Sequence, residues 1–251
     1  MSPDLTNEPT NGLILTDGLV MLQDGDRIFR LEIKALTLAP GRAVALTGAS
    51  GSGKTLMLEL LGLLRAPGAG TQYEWRAQGA ASRDLAGLWQ DGPRAAALAH
   101  QRGALFGFIP QTGGLLPFLS VAQNVELTQK INKCLDADWT ADLIGRLGLA
   151  DVAHLLPGAL SIGQRQRTAI ARALAHRPPF VIADEPTAAL DPDSADTVLR
   201  LLLDIAATQN CGVILSSHDI ARIDRFDIPR LSLNISAKGN TVTSTLEGET
   251  C

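Results

Sequence analysis

Eight residues, GASGSGKT from Gly48 to Thr55, constrain this 251-residue chain more than any other segment. Before them, Ala43 to Thr47 is a short apolar run of the kind that forms a buried strand, and Lys54 to Leu64 after them reads as an apolar helix. A strand that meets a helix through so many glycines has to turn tightly across the helix N-terminus. Gly48, Gly51 and Gly53 allow positive φ and close backbone approach, so successive N–H groups converge into a nest for phosphate oxygens. The candidate nucleotide contacts are therefore Gly48, Ala49, Ser50, Gly51, Ser52, Gly53, Lys54, Thr55 and Leu56. Lys54 would neutralise β- and γ-phosphates, and the Thr55 hydroxyl would be a ligand for Mg²⁺.

A phosphate cradle of this kind needs an acidic partner, and one follows a second buried-strand pattern, Phe180 to Ala183. Asp184 and Glu185 stand at its carboxyl end, where open α/β sheets place their ligands. Adjacent carboxylates can divide the work: Asp184 holds Mg²⁺ through its water shell, and Glu185 reaches the water that attacks the γ-phosphate. Between the two motifs lies LSIGQRQR, Leu160 to Arg167, which reads as a helix N-terminus. Ser161 acts as the cap, leaving backbone donors and its own hydroxyl facing outward, toward an anion.

With these three segments in this order, the chain resembles the ATP-binding cassette (ABC) ATPases over roughly residues 19 to 236. The resemblance implies an α/β fold: a P-loop NTPase core, an antiparallel β subdomain and an inserted helical lobe that carries the signature LSIGQ. It implies ATP and Mg²⁺ as ligands. It also implies a head-to-tail dimer, because Ser161, Gly163 and Gln164 would contact the γ-phosphate held by the Lys54 loop of a second copy. Three further residues take roles from the same resemblance. Gln111, after the strand-like Leu105 to Pro110, would sense Mg²⁺ and link the nucleotide to a partner subunit. Asp191 would cross the dimer interface, and His218, after the buried-strand pattern Val213 to Ser216, would contact the γ-phosphate and orient Glu185.

The chain departs from the family pattern at several positions. Ile162 replaces the first of two usual signature glycines, where positive φ would be costly for a β-branched residue. Leu56 stands where a second hydroxyl is common, which removes an α-phosphate contact. No aromatic lies in Met21 to Gly25, where the family stacks adenine, and Phe29 is too close to the loop and reads as strand core.

Composition bounds the remaining choices. With 45% hydrophobic residues the chain can bury one large core, and a net charge of −4 argues against a nucleic-acid partner. Cys134, Cys211 and Cys251 show no metal or disulfide spacing. The start is polar, without signal-peptide character, and no apolar run approaches the length of about 18 residues needed to span a membrane. With no span of its own, the chain is expected by the family resemblance to sit peripherally on the cytoplasmic face of the inner membrane, with an integral permease-type subunit as partner.

Along the chain, residues 1–12 read as a disordered tail, 13–236 as the ATPase domain with a helical lobe at about 112–160, and 237–251 as a hairpin and tail. Residues 13–47 read as antiparallel strands, and residues 66–104 as a strand near Tyr73 to Arg76 followed by a surface insertion. The clearest lobe helices are Val121 to Lys130 and Ala141 to Leu147, and Arg230 to Ile235 with Thr241 to Leu246 reads as a hairpin. Leu115, Leu116, Phe118 and Leu119 fit either lobe core or, by the resemblance, an exposed groove that receives a helix of the membrane subunit. The motif wording looks closest to cassettes of lipoprotein release, macrolide export and cell division. Two other readings keep the ATPase: mechanical signalling to a membrane partner without transport, and a soluble assembly scaffold. The stretch between Lys54 and Ser161 is too short for the long coiled coil of a DNA-repair cassette.

Overall fold

The computed structural model describes residues 11–247, so most of the expected tail at 1–12, and residues 248–251 with Cys251, lie outside the described residues. In chain order the elements are β1 (Gly12–Asp24), β2 (Arg27–Leu38), β3 (Ala43–Gly48), α1 (Lys54–Leu61), β4 (Gln72–Arg76), β5 (Arg83–Asp84) and α2 (Ala96–Leu105). They continue as β6 (Phe106–Ile109), α3 (Val121–Asn132), α4 (Ala137–Arg146), α5 (Ile162–Leu174), β7 (Phe180–Ala183) and α6 (Pro192–Thr208). The chain ends in β8 (Gly212–Ser216), α7 (Ile220–Arg225), β9 (Arg230–Lys238) and β10 (Thr241–Glu247).

All ten strands join one sheet in the order β5-β4-β1-β2-β10-β9-β3-β8-β7-β6. The expected α/β architecture is present: β9, β3, β8, β7 and β6 run parallel, while β1, β2, β4 and β5 form an antiparallel extension. Of the parallel strands, β3, β7 and β8 read as nearly unbroken apolar runs because both faces are covered. Alternate residues sort into two cores. Ala45, Val181, Ala183, Val213 and Leu215 face α5 and α6 and the lobe, whereas Val44, Leu46, Phe180, Ile182 and Ile214 face α1 and the antiparallel strands. Held between those layers, α1 buries Leu56, Met57, Leu58, Leu60 and Leu61, which is why it is apolar on nearly every side.

Several sequence expectations are corrected by this arrangement. The helix expected to reach Leu64 stops at Leu61, with Gly62 as its cap and Leu63 in left-handed backbone at φ 56°. The segment 66–104 is more than a surface insertion, because Leu85 and Leu98 are fully buried in the second core. Leu105 closes α2 instead of opening a strand. The second lobe helix begins at Ala137, not Ala141: Asp136 caps it by accepting from the Trp139 N–H at 2.9 Å, and Trp139 is buried against α5. The lobe is tied to α5 by Thr128 Oγ1 donating to Arg172 O at 2.8 Å and Gln129 Nε2 donating to Ala175 O at 2.9 Å.

The terminal hairpin is no appendage. β9 lies beside β3, β10 lies beside β2, and together they join the parallel and antiparallel halves, so the boundary drawn between residues 236 and 237 falls inside β9. Of the apolar residues after Gln111, Leu115 packs on the first core, Leu116 and Leu119 are half-buried, and Phe118 is 71% exposed. No helix among the described residues is long and apolar enough to cross a membrane.

β6, which leads to Gln111, lies directly on α5 at Gly107. A Cβ at that position would overlap the Ala173 carbonyl oxygen and stand 2.8 Å from its carbon. Both neighbours are backbone, so relief requires moving a whole helix. Gly107→Ala is expected to cost about 1–3 kcal/mol. Chemical denaturation checks this, and a variant as stable as the parent would show that α5 can shift freely.

Candidate active site

The phosphate loop is built by close contact as much as by glycine flexibility. At Gly48, φ is 147° and a Cβ would stand 2.7 Å from Ser52 Oγ and 2.9 Å from Leu233 O of β9, so only glycine fits. Gly53 caps α1 at φ 92°, with the Phe29 ring edge 3.0 Å from where its Cβ would be. Ala49, Ser50 and Gly51 form the exposed crest. Ser52 is fully buried, its N–H donating to Ala49 O at 3.2 Å and its carbonyl accepting from Ser244 Oγ of β10 at 2.6 Å.

Lys54 is only 6% exposed, and its Nζ donates to Gly48 O at 3.0 Å and Ala49 O at 3.1 Å. Burial holds its pKa below the usual lysine value, partly offset by the negative charges of Glu185 and Asp184. The loop thus wraps around the Lys54 ammonium. The Leu56 side chain is buried in the core, so only its backbone can face a nucleotide.

β7 ends at Ala183, whose register partners are Leu215 on β8 and Ile109 on β6, and the next residues of the three strands converge. Asp184 Oδ2 accepts from Thr55 Oγ1 at 2.9 Å, and Asp184 Oδ1 accepts from Ser216 Oγ at 2.6 Å. Glu185 adopts left-handed backbone at φ 47°, uncommon for a residue with a side chain, and its N–H donates to Ser216 Oγ at 2.8 Å. Its Oε1 lies 2.7 Å from His218 Nε2. Thr55, Asp184, Glu185 and His218 are therefore brought together at the carboxyl edge of the parallel strands.

The donor set fits Mg²⁺. Thr55 and Asp184 offer hard oxygens side by side at the mouth of the loop, leaving the remaining positions to phosphate and water, the usual pattern for this ion. Gln111 is exposed on the turn that follows β6, beside the acidic pair in register, and it makes no hydrogen bond to the described residues. That turn is fastened to α5: the Arg172 guanidinium donates to Gly113 O at 2.9 Å and Gly114 O at 2.7 Å.

Ser161, Gly163 and Asp191 lie elsewhere. Together with Ile162 and Leu190 they line an open groove of about 770 Å³ to which no residue of the Gly48–Thr55 loop contributes. Ser161 and Gln164 form a capping box: Ser161 Oγ accepts from Gln164 N at 3.2 Å and Gln164 Oε1 accepts from Ser161 N at 2.8 Å. The Ser161 proton and the Gln164 amide N–H₂ are left for another partner. Asp191 caps α6, and hydrogen bonds from Ser194 hold its carboxyl below the usual carboxylate range. Ile162 carries none of the strain expected of it. It is the first helical residue of α5, outside the positive-φ region, and its side chain is 51% exposed toward the groove.

The segment that lacks an aromatic presents Met21, 53% exposed, and Leu22, which pairs with Phe29 across β1 and β2. Phe29 is half-buried against the core, yet its edge borders the loop. Ser216 and Ser244 were not found by sequence reasoning. The available signal was a hydroxyl closing the apolar run of β8, two positions before His218.

Residues 31–188 match a family model described as ABC transporter. The lipoprotein-releasing system ATP-binding protein LolD of Maricaulis maris is 39% identical over 196 residues, covering 77% of this chain and 81% of that protein. The macrolide export ATP-binding/permease protein MacB 2 of Aeromonas hydrophila is 42% identical over 188 residues, covering 74% of this chain and 27% of that longer protein. Among solved structures, the dimeric post-hydrolysis state of the ATP-binding cassette MJ0796 bound to ADP and Pi superposes with a TM-score of 0.75 at 28% identity, over 94% of this chain and 98% of that one.

Proposed function

The chain belongs to the ABC transporter family of ATPases, and on that premise we propose that it is the ATP-hydrolysing subunit of a membrane complex of the lipoprotein-releasing or macrolide-exporting kind. Two copies would pair head to tail at the cytoplasmic face of the cell membrane, beneath a separate membrane-embedded partner. The observation that carries this reading is the division of the machinery between two surfaces. Lys54, Thr55, Asp184, Glu185 and His218 converge at one site, while Ser161, Gly163 and Asp191 line a groove elsewhere. A single copy holds a phosphate cradle and a second set of anion-facing donors that do not meet, and a second copy closes the gap. The dimeric state of the MJ0796 cassette supports pairing of two copies.

In this reading the loop N–H groups and Lys54 hold the phosphate chain. Thr55 and Asp184 would hold Mg²⁺, which when bound would neutralise phosphate charge. Glu185 orients the attacking water and accepts its proton as the bond between the γ-phosphorus and the bridging oxygen breaks. His218 fixes the Glu185 carboxyl through the contact at 2.7 Å. Ser161 and Gln164 of the second copy complete the donors around the γ-phosphate, and Gln111 reports occupancy to the lobe through a turn that Arg172 fastens to α5.

The membrane partner would dock on the lobe beside that turn, where Phe118 stands exposed between Leu116 and Leu119. Phe118→Asp should leave stability within about 0.5 kcal/mol and basal ATPase of the isolated chain unchanged, because the ring contacts neither core nor site. Coexpressed with a candidate membrane subunit of the lipoprotein-releasing or macrolide-exporting kind, the parent chain should sediment with membranes and the variant should not. Equal recruitment of the two would place docking elsewhere. A parent chain that binds no membrane protein and hydrolyses no ATP would overturn the reading.

A further inference from the structure

Ser216 ends β8 one position beyond Leu215, which pairs with Ala183, so its hydroxyl lies beside the first residues past β7. It is fully buried. A hydroxyl has one proton to give and lone pairs to receive with, and both are used here. Ser216 Oγ donates to Asp184 Oδ1 at 2.6 Å and accepts from the Glu185 backbone N–H at 2.8 Å. We propose that Ser216 is a positioning residue for ATP hydrolysis, whose single hydroxyl sets the Asp184 carboxylate and the Glu185 backbone as one unit.

The consequences differ for the two acids. The carboxylate torsion of an aspartate is broad, so an unrestrained Asp184 could turn its carboxylate plane away from Thr55. With one oxygen engaged by Ser216, the plane is set so that the other faces Thr55 Oγ1 at 2.9 Å, and the pair that would hold Mg²⁺ is fixed in orientation. Glu185 is held at φ 47°, a conformation that persists only where its surroundings over-determine it. The bond from its N–H to Ser216 is one of those constraints, and the contact of its carboxyl with His218 is another. Deleting the hydroxyl would free the torsion of one carboxylate and leave the backbone donor of the other without its partner.

The adjacent Ser217 serves a different purpose. Its Oγ accepts from Asp219 N at 3.0 Å and its N–H donates to Leu46 O at 3.1 Å, so it shapes the His218 turn without touching either carboxylate.

The proposal rests on the ATPase reading, and its test keeps the two separable. In the full chain, Ser216→Ala should lower kcat about tenfold or more, because a hydrogen bond to a charged group and a backbone constraint are lost together. In a Glu185→Gln background, where turnover is slow enough for binding to be measured, the same substitution should raise the Mg²⁺ concentration for half-maximal ATP binding several-fold. ATP binding in EDTA should stay within about twofold of the parent, since the loop donors are untouched. Ser216→Thr keeps the hydroxyl and should recover most of both losses, whereas Ser216→Val, of the same shape, should not. A Ser216→Ala chain with parental kcat and Mg²⁺ requirement would overturn the proposal. So would an equal loss of ATP binding with and without Mg²⁺, the mark of a hydroxyl that merely supports the fold. A parent chain that binds no Mg-ATP would instead fault the ATPase reading beneath it.

Discussion

Glu185→Gln is expected to reduce ATP turnover by about 10²–10⁴-fold, the usual contribution of a positioned general base, while ATP remains bound. The substitution changes one functional group and little else. Gln occupies the same volume, the backbone bond to Ser216 does not involve the side chain, and an amide can still meet His218 Nε2. Thr55, Asp184 and Lys54 are untouched, so the contacts proposed for phosphate and Mg²⁺ should persist. What would disappear is the group proposed to take the proton from water. Closure without hydrolysis should then trap the dimer, because the step that reopens it is missing. Light scattering after gel filtration in Mg-ATP should show the variant at twice the monomer mass, with the parent chain returning to monomer as ATP is consumed. A variant that binds ATP with parental affinity yet stays monomeric at micromolar concentration would sink the sandwich mechanism.

The reach of the sequence can be judged residue by residue. Asp184 and Glu185 were legible because β7 is covered on both faces: an apolar run of that kind has to end where the chain leaves the sheet, and the residues there face the mouth of the loop. The phosphate loop was legible because its geometry admits so few residues, as the crowding at Gly48 shows. The head of α4 carried a local signal that periodicity alone missed, namely Asp136 capping ahead of Trp139. Strand partners are another matter. Ser216 meets Asp184 only through the pairing of β7 with β8, and no local pattern announces which strands will be neighbours. For the same reason the hairpin of β9 and β10 read as a terminal feature, although β9 closes on Gly48 through Leu233 and β10 reaches the loop through Ser244. Ile162 was misjudged in the opposite direction. A missing glycine suggested strain, but the position is the first turn of a helix, where a β-branched residue is comfortable and the consequence falls on the surface it presents.

That surface is where the second large effect is expected. Ser161→Arg should abolish hydrolysis while the isolated chain still binds ATP, because Ser161 lines a groove to which its own phosphate loop does not contribute. Loss of the cap on α5 should cost about 0.5–2 kcal/mol of stability, too little to unfold a domain of this size. Lys54→Ala should be inactive for the opposite reason: its groove is intact and its own phosphate cradle has lost its cation. Each homodimer then carries two sites damaged on one side. In a mixed dimer the damage is sorted differently. The Lys54 loop of the Ser161→Arg chain faces the intact Ser161 of its neighbour, and both lesions fall together on the other site. Random pairing of equal amounts makes half the dimers mixed, each with one intact site of two, so two inactive preparations should together recover about a quarter of parental turnover, provided one site can fire alone. Recovery should follow the fraction of mixed dimers as the mixing ratio is varied, peaking at equal amounts. Mixed dimers demonstrated by differential tagging that remain inactive would mean either that both sites must fire together or that Ser161 acts within its own chain. A dimer of parental and Ser161→Arg subunits separates these. It keeps one intact site under shared geometry and under self-contained geometry alike, so activity there combined with none in the doubly altered pair would place Ser161 on its own chain's nucleotide and refute the head-to-tail arrangement.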